Sequence, residues 1–309
     1  MSRFPIKITV PASTANLGPG FDSIGLAVNR YLTLIVDKAN QWSFQANSGN
    51  LEGIPAGKDN LIYQVAEHIA QLKGKQLAPY TVQMESTIPL ARGLGSSASA
   101  IVAGIELANQ VLDLQLMVTE KVRLASLWEG HPDNVSPSIY GGLTIGTHTE
   151  NETDVVHVGV PEIELVLLVP PDELKTKVAR GILPEELPFR KAIRGSSVAN
   201  VLVAAIFQKN WELVGKMMAR DEFHQPFRGQ LIPHLQDVME YVQKNTEAYG
   251  AALSGAGPTM LCLVPASKGK FIQQVLQEQY PAFEVEILQP DTQGLHVEYV
   301  LNGRKKEIS

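Results

Sequence analysis

The 309-residue chain has one cysteine, no excess of basic residues and no long apolar run. Cys262 cannot form a disulfide within the chain, which favours a reducing compartment such as the cytoplasm. A formal net charge of -6 gives no support to a nucleic-acid surface, and no run of roughly 18 apolar residues suggests a membrane anchor. We therefore expect a cytoplasmic protein that binds neither nucleic acid nor membrane.

The composition is that of a globular enzyme or binding protein, with 44% apolar and 19% charged residues. A chain of 309 residues exceeds a typical single core, so two domains are expected. Helix-like and strand-like patterns alternate in both halves, which predicts an α+β fold. The polar stretch from His148 to Asp154 predicts a surface turn near a boundary that divides residues 1–155 from residues 156–309.

A strand, a glycine loop and a helix are predicted in sequence between residues 81 and 112. Thr81–Ile88 alternates as a strand does, and the stretch from Ile101 to Leu112 is mainly apolar. The glycines between them let the backbone turn and approach a ligand, and a helix beginning here directs unpaired N–H groups at the loop. Such a loop attracts phosphate, although it lacks the lysine of a Walker A sequence. The candidate nucleotide-binding residues are Pro89, Leu90, Ala91, Arg92, Gly93, Leu94, Gly95, Ser96, Ser97, Ala98 and Ser99.

The glycine loop has other interpretations. It could be a tight turn that caps a core helix, or the loop of a nucleotide sensor without catalysis. Gly93–Ala98 also fits the dinucleotide fingerprint, with Asp113 about 20 residues further on, which would indicate a nicotinamide dehydrogenase. Pro89 and Arg92 count against the fingerprint, because they separate the strand from the first glycine.

Three further patches combine glycines with polar side chains. Asn16 and Asp22 flank a Gly-Pro-Gly bend, where an amide and a carboxylate could hold a small substrate with an amine and a hydroxyl. Glu129 ends a predicted helix and is followed by His, Asp and Asn, which suits Mg²⁺ and a substrate better than zinc. Gly250–Thr259 is a second loop of small residues. Each patch is also explained by turns and helix caps alone.

Together these patches resemble the motifs of the GHMP kinase family, a group of small-molecule kinases. Its three motifs occur in order at Pro11–Asp22, Pro89–Ala98 and Ser254–Thr259, so the resemblance covers nearly the whole chain. It implies an N-terminal ribosomal protein S5 domain 2-like domain and a C-terminal ferredoxin-like α+β sandwich. ATP would lie along the glycine loop between them. Family members are often dimers, so a homodimer is allowed.

Three shorter segments narrow the resemblance within the family. Asn16–Asp22, His131–Val135 and His224–Arg228 are most similar to the members that phosphorylate the side-chain hydroxyl of L-homoserine on the way to threonine. The expected partners are thus ATP and L-homoserine. By the same resemblance Ser97 and Glu129 would hold Mg²⁺, with Ser96 as the alternative to Ser97.

L-Homoserine carries an ammonium, a carboxylate and a hydroxyl, and the resemblance supplies a partner for each. Asn16 and Asp22 would take the ammonium or the hydroxyl, and Arg180 and Arg228 would clamp the carboxylate through paired N–H groups. The expected substrate-binding residues are Asn16, Asp22, His131, Asn134, Arg180 and Arg228, and the expected catalytic residues are Asn134, Asp22 and Glu129.

The general base is an open question. Related kinases place an aspartate where this chain has Asn134, and an amide cannot take a proton at neutral pH. Either Asp133, His131 or Asp22 accepts the hydroxyl proton, or the γ-phosphate or water does and Asn134 only orients the hydroxyl. We favour the second course, because a loose phosphoryl-transfer transition state gains more from positioning than from early proton removal.

Overall fold

The structure, a computed structural model, describes residues 4–301 and 304–308. Its larger sheet has the order β12-β11-β1-β2-β4-β3, with β5 paired to β2 and β6 paired to β5. These strands are β1 (Ile6–Ala15), β2 (Ile24–Lys38), β3 (Ser43–Ala46), β4 (Tyr80–Ser86), β5 (Leu143–His148), β6 (Thr153–Gly159), β11 (His296–Leu301) and β12 (Arg304–Ile308). The smaller sheet has the order β10-β7-β9-β8 and is antiparallel throughout. Its strands are β7 (Ile163–Val169), β8 (Gly250–Leu253), β9 (Met260–Pro265) and β10 (Glu284–Leu288).

Helices connect and cover the two sheets. Those of the first half are α1 (Leu61–Leu72), α2 (Ser96–Leu112), α3 (Val118–Glu129) and α4 (Val135–Tyr140). Those of the second half are α5 (Thr176–Gly181), α6 (Phe189–Phe207), α7 (Trp211–Met218), α8 (Gln225–Arg228), α9 (Leu235–Asn245) and α10 (Gly269–Gln279). None of the helices in the described part of the chain is long and apolar enough to span a membrane.

Strand β7 shows how the two halves share their apolar interior. Its side chains alternate, so that Leu165 and Leu167 pack into the larger core together with α2 and the larger sheet, whereas Val166 and Leu168 face a second core with α9 and α10. Both faces of β7 are therefore buried, which explains why its sequence is apolar almost throughout.

The observed topology confirms the α+β fold class and rules out the dehydrogenase alternative. A dinucleotide fold requires a doubly wound parallel sheet, but β4 pairs antiparallel with β2 and parallel only with the short β3. Asp113 caps the C-terminal end of α2 and does not follow a second parallel strand.

The prediction that the whole of Gly250–Thr259 is a loop is wrong, because Gly250–Leu253 forms β8. The small residues of β8 let α7 pack close, and a Cβ on Gly250 would lie 2.6 Å from the Gly215 Cα.

The expected domain boundary after residue 155 falls inside β6, and β11 returns from the second half to pair with β1. The division into residues 1–155 and 156–309 stays a prediction.

Candidate active site

Loops from both halves of the chain meet in one pocket. It lies among the β1–β2 turn, the glycine loop before α2, the turn after α3, the start of α5, the short helix α8 and the β8–β9 loop. The lining residues are Asn16, Asp22, Ala91, Arg92, Gly93, Leu94, Gly95, Ser96, Ser97, Ala98, Glu129, His131, Asp133, Asn134, Thr176, Arg180, Arg228, Gly255 and Ala256. The structure thus brings together almost all of the residues that the sequence singled out.

The glycine loop and the late β8–β9 loop lock against each other. Gly93 has φ +75°, and a Cβ there would lie 2.3 Å from the Ser254 carbonyl oxygen, so only glycine fits. Ser254 Oγ donates to the Gly93 carbonyl at 2.7 Å. Gly95, with φ 67°, is the N-cap of α2, which begins at Ser96, directly after the glycine loop as predicted. The unpaired N–H groups of the first helical turn therefore face the pocket, as an anion site requires.

Three residues of the predicted loop do not line this pocket. The Ser99 hydroxyl is buried and donates to the carbonyls of Pro11 and Gly95 at 3.0 and 3.1 Å. Pro89 lines a neighbouring groove, and Leu90 lines a separate cavity beside the loop.

That separate cavity has a volume of about 300 Å³ and a mainly apolar lining. Ser96 and Ser97 line both the cavity and the pocket, so the two are adjacent across the start of α2. Its apolar lining residues are Leu32, Leu51, Ile54, Pro55, Leu61, Ile62, Met84, Ile88, Leu90 and Ala100.

Glu129 is the last residue of α3 and lies beside the glycine loop, and its carboxylate oxygens are possible ligands for a cation. Burial raises the pKa of its carboxyl group, and the nearby Asp133 adds to that effect while His131 opposes it. The carboxylate has no hydrogen-bond or ion-pair partner in the part of the chain that is described. Ser97 is exposed and Ser96 half-buried in the same pocket. A carboxylate and a hydroxyl are the hard oxygen ligands that Mg²⁺ takes, so these residues fit the ion.

A second group of possible ligands is already engaged within the protein. Atoms of Asp22, His131 and Asp133 lie within 4.8 Å of one another. However, His131 Nδ1 is hydrogen-bonded to Asp133, and Asp22 is ion-paired with Arg180. Burial lowers the pKa of His131, but the hydrogen bond and the charge of Asp133 outweigh it and raise that pKa overall. A set with an imidazole and two paired carboxylates suits Mg²⁺ less well than Glu129 with a serine.

Asn134 is oriented by a residue that the sequence analysis missed. Its Oδ1 accepts a hydrogen bond from the Ser13 hydroxyl at 3.0 Å, and its Nδ2 donates to Asp133 at 3.4 Å. Ser13 is fully buried on β1 and is also contacted by Ser138 Oγ. Ser13 takes one acceptor position of the amide oxygen and Asp133 takes one hydrogen of Nδ2, so Asn134 keeps a second N–H for the pocket. The only sequence signal for Ser13 was its place inside the N-terminal motif.

Asp22 and Arg180 contact each other, although the sequence predicted separate roles for them. Arg180 donates through both Nη atoms to the two carboxylate oxygens of Asp22, at 3.1 and 2.8 Å. Both side chains are about one third exposed at the pocket wall. This bidentate pair places a fixed negative and a fixed positive charge side by side.

Asn16 holds the turn that carries Asp22. Its Nδ2 donates to the Gly255 carbonyl at 3.0 Å, and its Oδ1 accepts from the Asp22 backbone N–H at 3.1 Å. The side chain is 2% exposed. Asn16 therefore borders the pocket while most of its hydrogen-bonding capacity serves to join the β1–β2 turn to the late loop.

Arg228 is a buried guanidinium that lines the same pocket. It is 2% exposed and donates to the carbonyls of Ala179 and Gly255 at 3.2 and 2.9 Å. Burial and the like charge of Arg180 lower the pKa of Arg228 to about 10, so the group keeps its charge at neutral pH. The ring of Phe21 lies under both guanidiniums, 5.2 Å from Arg228 and 5.7 Å from Arg180. This cation–π contact offsets part of the repulsion between the two charges.

The N-terminus of α2 and the charged groups of Asp22, Arg180 and Arg228 thus lie in one pocket, an arrangement that suits a small-molecule kinase. Two family models match the chain, the GHMP kinases N terminal domain over residues 60–142 and the GHMP kinases C terminal domain over residues 202–282. The chain belongs to the GHMP kinase family and is an ATP-dependent kinase.

Three of the similar proteins are described as homoserine kinases, one of them as putative. A homoserine kinase of Halalkalibacterium halodurans is 64% identical over 302 residues, which is 98% of both chains. A solved structure from Listeria monocytogenes, described as a putative homoserine kinase, has a TM-score of 0.81 at 39% identity and covers 94% of this chain and 98% of its own. The crystal structure of homoserine kinase from Cytophaga hutchinsonii has a TM-score of 0.83 at 27% identity, with 96% and 98% covered.

Proposed function

We infer that the chain catalyses the reaction for which these relatives are named, transfer of the γ-phosphoryl group of ATP to the side-chain hydroxyl of L-homoserine. The product is O-phospho-L-homoserine, an intermediate of threonine biosynthesis. One observation carries the assignment beyond the family. The paired charges of Asp22 and Arg180, with Arg228 behind them, lie in the same pocket as the N-terminus of α2.

The nucleotide side is formed by the loop and the cavity next to it. The triphosphate lies along Gly93–Ser97, where helix N–H groups and the positive end of the α2 dipole stabilise its charge. The adenine occupies the apolar cavity of about 300 Å³, whose lining through Leu90 and Ala100 suits a flat, weakly polar base. Ser96 and Ser97 line both the cavity and the pocket, which supports a base and a triphosphate on either side of the helix start.

Ser97 or Ser96, together with Glu129, would hold Mg²⁺. The bound ion would neutralise charge on the phosphates during transfer. The support from this chain is the carboxylate of Glu129, whose pKa is raised by burial and which has no ion-pair partner within residues 4–301 and 304–308.

The acceptor side matches the three polar groups of homoserine. The ammonium binds Asp22, and the carboxylate binds Arg180 and Arg228. The bound zwitterion therefore replaces the hydrogen bonds between Asp22 and Arg180 with its own. An acceptor that lacks either charge leaves one member of the pair without a partner. Rejection of such analogues is expected to be strong, because an unpaired charged group in a closed site is costly.

Asn134 orients the hydroxyl and does not remove its proton. One Nδ2 hydrogen is donated to Asp133, and the other is offered to the hydroxyl oxygen. Of the three candidate bases, Asp22 is paired with Arg180, and Asp133 and His131 are hydrogen-bonded to each other. We therefore propose that the proton passes to the phosphate oxygens as the bond to the γ-phosphorus forms, with the protein supplying position and charge.

The test is a panel of acceptors with the purified chain, ATP and Mg²⁺. L-Homoserine, mevalonate, galactose, L-threonine and shikimate are compared by ADP release, and the product is identified by mass and by ³¹P NMR. ADP release with homoserine alone, together with formation of a phosphate monoester, is the expected result. Release with mevalonate or galactose but not homoserine would overturn the acceptor while leaving the family unchanged.

The same preparation distinguishes a kinase from a nucleotide sensor without catalysis. A nucleotide sensor would be stabilised against thermal unfolding by ATP, yet would release no ADP with any member of the panel.

A further inference from the structure

His224 is a buried histidine that lies between the two sides of the acceptor site. It is 0% exposed and precedes α8. Its Nε2 lies 2.9 Å from the carbonyl oxygen of Gly18, and its Nδ1 lies 3.2 Å from Arg228 Nη1. A carbonyl only accepts and a guanidinium only donates, so Nε2 carries the proton and Nδ1 is the acceptor. Burial lowers the pKa of His224, in keeping with a neutral ring.

The Nδ1 contact sets the orientation of the Arg228 guanidinium. Nη1 donates to His224 and to the Gly255 carbonyl, and Nε donates to the Ala179 carbonyl. Within residues 4–301 and 304–308, no protein acceptor takes a hydrogen bond from Nη2, and Arg228 lines the pocket. Three of the guanidinium's five N–H groups are thus tied to protein, which leaves the Nη2 edge for a ligand.

The Nε2 contact acts on the other side of the site. Gly18 belongs to the β1–β2 turn that ends at Asp22, and its carbonyl is held by His224 across 206 residues of sequence. The His224 ring also stacks on Phe21, the neighbour of Asp22, with centroids 5.1 Å apart and an interplanar angle of 19°. One imidazole therefore contacts both the turn that presents the carboxylate and the side chain that presents the guanidinium.

The backbone around His224 is itself held rigidly. Asp221 accepts hydrogen bonds from the backbone N–H groups of Phe223, His224 and Gln225, at 2.7, 3.1 and 2.7 Å. Because its backbone is fixed in this way, the His224 ring stays in one position and can hold Arg228 and Gly18 in place.

We propose that His224 is a positioning residue for the amino-acid acceptor, fixing Arg228 through Nδ1 and the Asp22 turn through Nε2. This inference rests on the proposed function. It assigns to His224 no contact with substrate and no part in proton transfer. His224 should affect the affinity for an acceptor that carries a carboxylate and should not affect the affinity for ATP.

Two isosteric substitutions separate the two contacts. In His224→Asn the amide oxygen can replace Nδ1 as the acceptor for Arg228, whereas in His224→Gln the amide nitrogen can replace Nε2 as the donor to Gly18. Loss of a hydrogen bond to a charged group is expected to raise the KM for homoserine roughly 10- to 100-fold in His224→Gln. His224→Asn loses only the neutral hydrogen bond to Gly18, so its KM for homoserine should rise by a clearly smaller factor, and the KM for ATP stays at the wild-type value in both variants.

The chain offers a matched control. His148 Nδ1, at the end of β5, also lies within hydrogen-bond distance of an arginine, Arg123 of α3, at 3.3 Å, and neither residue lines the pocket. His148→Gln breaks a contact of the same kind and should leave both KM values unchanged. Equal KM values for homoserine in His224→Gln and wild type, or equal losses in His224→Gln and His224→Asn, would overturn the proposal.

A crystal structure of His224→Gln tests the positioning without reference to substrate. We expect the Arg228 guanidinium to turn away from its contact with the Gly255 carbonyl while the Gly18 turn stays in place. An unchanged Arg228 would overturn the proposal. If the wild-type protein fails to use homoserine, the proposed function fails, and this crystal structure still decides whether His224 orients Arg228. If His224→Gln does not fold, the same comparison is made with His224→Asn, where Arg228 should stay and the Gly18 turn should shift.

Discussion

The nucleotide side and the acceptor side of this pocket are constructed in different ways. The nucleotide side is a continuous stretch, Gly93–Ala98, whose backbone conformation and helix start supply the binding groups. The acceptor side is a set of charged side chains from distant segments, of which Asp22 and Arg180 are 158 residues apart. A backbone site keeps its character under most side-chain substitutions, whereas a side-chain site can be altered one contact at a time. A variant on the nucleotide side should therefore change the kinetics with ATP, and a variant on the acceptor side should change the kinetics with homoserine.

Glu129→Gln is expected to have the largest effect, because the proposed function assigns to Glu129 the metal ion that acts in the transfer step. Loss of the carboxylate should lower kcat roughly 1000-fold, while the Kd of ATP measured in excess EDTA stays unchanged. Steady-state kinetics and calorimetry measure the two quantities. Glu120→Gln, at the exposed start of the same helix, is the control and should keep full activity. A weakened Kd for metal-free ATP in Glu129→Gln would instead place this carboxylate on the nucleotide side.

Asn134→Ala should lower kcat about 100-fold with ATP binding intact, because the amide that orients the hydroxyl is lost. Single-turnover kinetics and the Kd of ATP are the measurements, and Asn200→Ala on the exposed face of α6 is the control. An unchanged kcat would exclude the orienting role. Removing the Ser13 hydroxyl in Ser13→Ala should reduce kcat in the same direction but by less, since the amide remains.

Arg180→Lys tests the acceptor side alone. A lysine keeps the charge but loses the bidentate geometry, so the KM for homoserine should rise roughly 30-fold with the KM for ATP unchanged. Arg194→Lys, in an exposed pair with Glu222, is the matched control. A parallel rise in the KM for ATP would show that the two sides are not independent.

Ala100→Leu is the smallest of these changes and tests the nucleotide side alone. The added side chain partly fills the apolar cavity beside the loop, so the KM for ATP should rise about tenfold, while the KM for homoserine stays the same. Ala204→Leu on exposed α6 is the control. An unchanged KM for ATP would indicate that adenine lies elsewhere.

The difference between the two sides also explains which features the sequence predicted well. The glycine loop was predicted from neighbouring residues, because its turn, its cap and its helix are local. The structure confirms this local prediction, because Gly95 adopts a left-handed conformation and caps the helix just before Ser96. Strand β8 was missed because its small residues are typical of loops unless a helix packs closely on them.

The acceptor side was only partly predicted. Asp22, Arg180 and Arg228 were identified by short motifs, and the structure places all three in one pocket. That Asp22 and Arg180 bind each other was not predicted, nor was the Ser13 contact that occupies the amide oxygen of Asn134. Contacts over such separations depend on how the strands pair, which no local pattern reports.

Local chain chemistry alone determined the fold class, the phosphate loop and the identity of the charged groups around it. Those features follow from backbone conformation, hydrophobic periodicity and residue type over short stretches. Only the folded chain decided which hydrogen-bonding atom of each side chain is free to meet a ligand. Asn134, His224 and Arg228 form hydrogen bonds with partners that are distant in sequence, because buried polar groups must be hydrogen-bonded. Those bonds determine which of their atoms remain for a ligand.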